Sequence, residues 1–201
     1  KIDVIGFNLR GGIGDVGVTL NLRPAKKKLP VIPRVGMQAE LAAGYTNVEW
    51  FGRGPEENYW DRKSGYAVGR YAATVDEMIH DYIRPQENGV RTDVRWVAWR
   101  NAAGGGLLVV GRPRLEISCW PYRMDELEKA NHPHELPRRK TTTINVDYRQ
   151  MGVGGVNSWG QWPLKKYQLP PKPYEYSFRL RPLGKDDDPA ALARQALPDE
   201  E

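Results

Sequence analysis

At 201 residues the chain is long enough to bury a sizeable core in one domain, and nothing in it forces two. Twenty-one Gly and sixteen Pro scattered among short apolar runs, with Trp and Tyr abundant and helix-forming stretches scarce, point to an antiparallel β protein. The purely apolar runs are only a few residues long, which excludes a transmembrane helix and a signal-peptide core; the net charge of +5 is built from bases interleaved with acids, which argues against a nucleic-acid groove.

The chain opens on KIDVIGF without an initiator Met, as an excised piece or a mature subunit would, so the compartment is not readable there. Residues 1–10 and 16–22 alternate apolar and polar and read as strands with one wet face. Between them Gly12, Gly14 and Gly17 match the dinucleotide fingerprint GxGxxG, but that site needs a helix after the glycines and a period-2 strand follows. The segment therefore reads as a hairpin turn. The basic clusters Lys26 to Lys28 and Arg138 to Lys140 flank prolines and read as solvated turns.

Prolines hold residues 29–33 extended, and Val35 to Leu41 and Val48 to Phe51 resume as strands. Gly52 to Arg62, GRGPEENYWDR, is a long polar turn with Tyr59 and Trp60 embedded in it, so it is expected to be packed and held by its own charges, with Asp61 pairing Arg62 or Arg53. Residues 67–71 are a further strand, and 74–82 is either a helical turn or an irregular loop. Asn88-Gly89 marks a tight turn. Strands follow at 90–100, 107–111 and 115–120; Cys119, alone in the chain, reads as a buried small hydrophobe and excludes an intrachain disulfide. Residues 123–130 are the best helix, stopped at Asn131-His132-Pro133. Residues 141–148 and 174–180 are the last strands, with Tyr174, Tyr176, Phe178 and Leu180 facing inward. Ten or so short strands and almost no helix make a sandwich. Residues 1–183 form the domain, and 184–201, where Asp188 caps a short Ala-rich helix without a wide apolar face, form a polar, loosely attached tail.

Met151 to Trp162, MGVGGVNSWGQW, lies between two of these strands. Its glycines turn the backbone tightly and leave Asn157, Ser158 and Trp159 projecting. An indole offers a flat face to the C–H patch of a sugar and an N–H at its edge. Two readings stand side by side: a sugar platform, or a lid folded back on the sandwich.

Taken in order, IPRVG at 32–36, WFGRGPEENYWDR at 50–62, PQENG at 85–89 and MGVGGVNSW at 151–159 resemble the C-terminal domain of family 2 glycoside hydrolases of the β-galactosidase type, and the small subunit of their two-chain relatives. The resemblance covers residues 16–183. It implies an all-β antiparallel supersandwich, galactose mutarotase-like, that begins several strands earlier in the family than in this chain. It also implies that the glycosidic bond is cut elsewhere, by two glutamates on a (β/α)8 barrel, and that Trp159 contributes to the sugar site with Ser158 and Asn157 beside it. Val156 and Asn157 stand where some members carry an acidic pair. The partners implied are a β-galactoside and the barrel domain or large subunit. No cofactor is implied in this chain, metals belonging largely to the barrel region of relatives.

Retaining hydrolysis needs two carboxyl groups ~5 Å apart. Glu56 and Glu57 are sequence neighbours that point apart when extended, and Glu57 and Glu87 read as carboxylates that accept turn N–H groups or pair with arginine. No catalytic residue is therefore assigned here. His132 and His134 lack a partner at metal spacing, whereas His80 with Glu57 or Glu87 keeps open a mutarotase-like epimerase. The leading expectation is an accessory, pocket-completing domain of a β-galactosidase. The alternatives are a free-standing carbohydrate-binding module using Trp159 and Trp162, and a single-strand nucleic-acid binder, which lacks its basic groove.

Overall fold

The computed structural model describes residues 2–12, 14–25 and 29–196, the first of these as backbone only. Ile13, the cluster Lys26 to Lys28 and residues 197–201 lie outside the described residues. Nine strands and three short helices follow in chain order: β1 Ile2–Gly12, β2 Asp15–Pro24, β3 Arg34–Leu41, β4 Asn47–Arg53, β5 Val68–Thr74, α1 Val75–Met78, β6 Arg91–Arg100, β7 Gly106–Trp120, α2 Met124–Lys129, β8 Thr142–Gln150, β9 Tyr174–Leu183 and α3 Pro189–Ala193. Every strand pairing is antiparallel. No described helix is long and apolar enough to cross a membrane.

The glycine-rich segment that matches GxGxxG joins β1 to β2 as a hairpin, with Gly12 opposite Asp15 and Gly14 at φ +79°. Asp15 opens strand β2, so no helix N-terminus stands there to receive a pyrophosphate.

The sheet runs β1-β2-β9-β7-β6-β4-β5, and β3 joins through β8, which also pairs with β7. Strand β7 organises this arrangement. Its first half, Gly106 to Arg112, pairs with β9, and its second, Glu116 to Trp120, pairs with β8. Residues 107–111 and 115–120, which the sequence suggests as two strands, are therefore one strand that changes neighbours. Pro113 sits between the two ladders and pairs in neither, so its missing N–H costs no ladder bond.

Strands β8 and β9, which pair with different halves of β7, also meet through their side chains. Tyr148 contacts the rings of Tyr174 and Tyr176, each at 5.9 Å, and the Tyr176 hydroxyl donates to the Val146 carbonyl. The core fills the space between: Val18, Leu20 and Leu22 of β2, Tyr176 and Phe178 of β9, Ile144 and Val146 of β8, and Trp50, Val97 and Trp99 from β4 and β6. This is an all-β antiparallel sandwich. Period-2 alternation in β2 and β9 places these side chains on one face, as read from the sequence. Within residues 74–82, Val75–Met78 form α1, capped reciprocally by Thr74 and Glu77, and 79–82 are irregular.

The tail expectation needs correcting within its described part. Asp188 does cap α3, but the helix is docked: Pro189 and Leu192 are buried, and Leu192 joins Trp96, Ala98, Leu108 and Leu183 in a second apolar cluster. Arg179 donates to the carbonyls of Leu192 and Gln195, which ties the helix end to β9. The apolar face is narrow, but the indole beneath it is broad.

Candidate functional site

The segment between β8 and β9 starts tightly held, projects into solvent around residues 155–162 and returns to the body at the buried Leu169, whose carbonyl accepts the Ile32 N–H. Met151 N–H donates to the Pro33 carbonyl (2.9 Å) and Gly152 N–H to the Tyr167 carbonyl (2.8 Å). Val153 and Gly154 donate their N–H groups to the two carboxylate oxygens of Asp61, at 3.2 and 2.9 Å. Beyond this anchor Gly154 and Gly155 adopt φ of +77° and +80°, and the chain turns outward. At the tip Asn157 Oδ1 accepts the Trp159 N–H (2.9 Å) and its Nδ2 donates to Gln161 Oε1 (2.7 Å). Such an Asx-type turn fixes the backbone that carries the ring.

Trp159 is 90% exposed and Trp162 58%, with Ser158, Val153, Val156 and Leu164 also on the surface. The lid reading is thereby overturned, since a ring at this exposure covers nothing in its own sandwich. Of the three predicted site residues, Trp159 and Ser158 project outward, whereas Asn157 is engaged at both ends inside the loop.

The expected pairing of Asp61 with Arg62 or Arg53 is not what forms. Arg53 binds Asp93 at 2.6 Å, and Arg62 lies over the Tyr59 ring at 5.2 Å. Asp61 instead reaches a segment more than ninety positions away in sequence. Its neighbour Trp60 supports the same region, lying under the Arg149 guanidinium (4.6 Å) and edge-on to Tyr167 (5.7 Å).

The two motif loops at 52–62 and 85–91 interlock with each other. Asn58 donates to the Glu56 carbonyl and accepts from the backbone and hydroxyl of Thr92. Arg91, also buried, donates to the carbonyls of Pro55, Met78 and Gly89, each at 2.9 Å, and lies over Trp50. Glu57 accepts from Gly89 N–H (2.8 Å) and from the hydroxyls of Tyr59 and Tyr82. Glu87 binds Arg34 at 2.6 Å. Glu57 therefore serves as a turn acceptor and Glu87 as an arginine partner. His80 is exposed; its ring packs on Tyr82 and its backbone N–H donates to Asn88, so neither Glu57 nor Glu87 stands beside it as an idle base. The His132 and His134 rings stack on each other at 5.5 Å. Among the described residues there is no group of three or more His, Cys, Asp or Glu side chains that could hold a metal ion.

A buried charge cluster escapes sequence reading. Glu116 and Asp147 are cross-strand partners on β7 and β8, both almost completely buried. Burial pushes Glu116 up to about 7, against a backbone hydrogen bond from Gln150 and the charge of Arg149. Burial also drives Asp147 well above the usual carboxylate range, although Arg34 lies 3.1 Å away. Gly36 makes room for it: a Cβ there would overlap the Asp147 carboxylate. Cys119 is buried, with its thiol pushed up to about 12, which suits a core residue and not a nucleophile.

A family described as the β-galactosidase small chain matches residues 5–180. The chain belongs to the β-galactosidase small-chain family. It is 40% identical over 171 residues to a β-galactosidase of Priestia megaterium, an alignment that covers 85% of this chain and 16% of that protein. It is 41% identical over 169 residues to a β-galactosidase of Vibrio cholerae, covering 84% and 16%. Against the β-galactosidase BgaC of Bifidobacterium adolescentis the figures are 37% over 145 residues, 71% and 14%. A β-galactosidase small-chain domain thus corresponds to a small fraction of each of these enzymes, and this chain spans about 16% of the length of the first two.

Proposed function

We propose that the chain is the accessory domain of a family 2 β-galactosidase that hydrolyses terminal β-D-galactosides, completing a substrate pocket whose two catalytic glutamates sit on a separate barrel. The observation that carries this reading is the 90% exposed Trp159 on a rigidly based loop. Two others support it: Glu57 and Glu87 are engaged in a turn and an ion pair, and the β-galactosidases it matches are several times longer.

The role of Trp159 follows from its chemistry. A sugar lays its C–H face on the indole and keeps its hydroxyls for polar partners, and Ser158 stands next to the ring. An orienting contact of this kind lowers the barrier by fixing the scissile bond relative to the glutamates, so its loss affects rate as well as affinity. The isolated chain, without those glutamates, is inactive on galactosides, and no cofactor is assigned to it.

In the intact enzyme, Trp159→Ala raises KM for lactose by roughly tenfold, equivalent to ~1.4 kcal/mol, while Tm is unchanged. An unchanged KM overturns the proposal. Because Trp162 is exposed too, a free-standing sugar-binding module has one observation in its favour. Calorimetric titration of the chain alone with galactose and lactose separates the two, since a half-pocket gives no heat of binding and a complete module does.

A further inference from the structure

We propose that Asp61 is a positioning residue for the sugar contact, acting through the loop that carries Trp159; this rests on the reading that Trp159 touches the substrate. The loop meets the body of the domain through a clamp. Asp61 accepts two successive backbone N–H groups, Val153 at 3.2 Å and Gly154 at 2.9 Å, one on each carboxylate oxygen. Charge-assisted bonds of this type are stronger than neutral ones and fix direction.

The two sides of the clamp differ in rigidity. On the body side, Tyr59 and Arg62 exchange backbone hydrogen bonds across the turn that holds Asp61, and the Tyr59 side chain is 1% exposed. Trp60 is wedged between Arg149 and Tyr167, and the Tyr167 carbonyl receives Gly152 N–H. On the loop side, the chain beyond Gly154 turns through Gly155 to an exposed tip. The direction of the indole is therefore set where the carboxylate grips the two amides. Gly152 completes the fit, because a Cβ there would come within 2.6 Å of the Asp61 carboxyl carbon. A side chain at 152 would push the loop off its anchor.

Chemistry at position 61 is equally restricted. Two N–H donors need two acceptors, which an ionised carboxylate supplies; the amide of asparagine presents one acceptor and turns an N–H2 toward the second donor. Asp61→Asn is thus nearly isosteric but opposes the clamp.

The test is a set of variants of the intact β-galactosidase assayed on lactose: Trp159→Ala, Asp61→Asn, Gly152→Ala and the pair Asp61→Asn with Trp159→Ala. Asp61→Asn and Gly152→Ala are each expected to raise KM by roughly fivefold, somewhat less than loss of the ring itself. The double variant is expected to match Trp159→Ala alone, because a clamp that acts only through the indole has nothing left to position. A purely structural role would instead lower Tm and the amount of active enzyme while KM stayed constant. If Trp159→Ala raises KM but Asp61→Asn does not, or if the two effects multiply in the double variant, the positioning role is overturned and the sugar contact stands. If Trp159→Ala leaves KM unchanged, the sugar contact fails and the positioning role with it.

Discussion

The interlocked turns at 52–62 and 85–91 and the loop beyond Met151 are alike in sequence, each mixing glycine, polar side chains and aromatics. In the structure they are opposites. The first pair turns its polar groups inward, where Asn58 and Arg91 satisfy backbone amides and carbonyls and Tyr59 is buried. The other turns its aromatic outward and uses Asn157 and Gln161 to hold its own shape. A polar motif that looks catalytic can therefore be a lock, and the element proposed to meet the sugar is the one whose large apolar group stays in solvent although the fold gains nothing from leaving it there.

The largest effect that sharpens this contrast is expected at Arg91. Two of its three carbonyl acceptors, those of Met78 and Gly89, are in buried hydrogen bonds, so Arg91→Ala strands them and removes the cation above Trp50. A loss of at least ~2 kcal/mol of stability is expected, at ~1–3 kcal/mol for each of the two buried groups left unpaired. Urea unfolding of the chain measures it, and a loss below ~1 kcal/mol would break the description of these loops as locks.

The next effect concerns the interior. Glu116 has its carboxyl raised to about 7 in the folded chain from an ordinary value of 4.5, so the folded state binds more protons than the unfolded one between those limits. Its contribution is fully present below pH 4.5 and is lost as pH rises to about 7. Asp147 contributes a slope of the same sign. Glu116→Gln removes its share, so the variant gains on the parent chain by up to about 3 kcal/mol across that window, with no further change above it. Parallel stability curves for the two proteins would contradict the assignment.

How much of this was legible in the sequence depends on whether the deciding partner was local. The alternation of Val18, Leu20 and Leu22, and of Tyr174, Tyr176 and Phe178, carried the strands and their inward faces, because each pattern needs only its own residues. The division of β7 at Pro113 misled, because the switch of partner strands that makes a proline harmless there depends on β8 and β9. The docking of α3 was hidden for the same reason: its narrow apolar face is sufficient only against Trp96. Asp61 was assigned to the nearest arginines, whereas its partners lie across the fold at Val153 and Gly154. Glu116 and Asp147 left no trace, since β8 is covered on both faces and its alternation carries no inside and outside. The projecting loop with Trp159 was readable because glycine spacing alone makes it a turn; that the ring is not a lid on its own sandwich depended on its exposure.

Smaller effects mark the outer side of the contrast. Trp159→Ala changes the stability of the chain by no more than ~0.5 kcal/mol, as expected of a ring without burial; a larger loss in a melting experiment would return it to the role of a lid. Lys129→Ala, which removes an exposed pair with Asp125 one turn away on α2, has only a marginal effect on stability, and that effect vanishes at high salt. A salt-independent loss there would mean that α2 is held by something other than its surface charges.

The central claim is that an outward-facing indole on this domain contacts the sugar while the reacting acids belong elsewhere in the enzyme. A structure of the intact β-galactosidase with galactose bound tests it most directly. The account predicts the face of Trp159 against the sugar ring at about 4 Å, with both catalytic glutamates outside residues 1–201. A bound galactose with Trp159 turned to bulk solvent or buried against a subunit far from it would contradict the account.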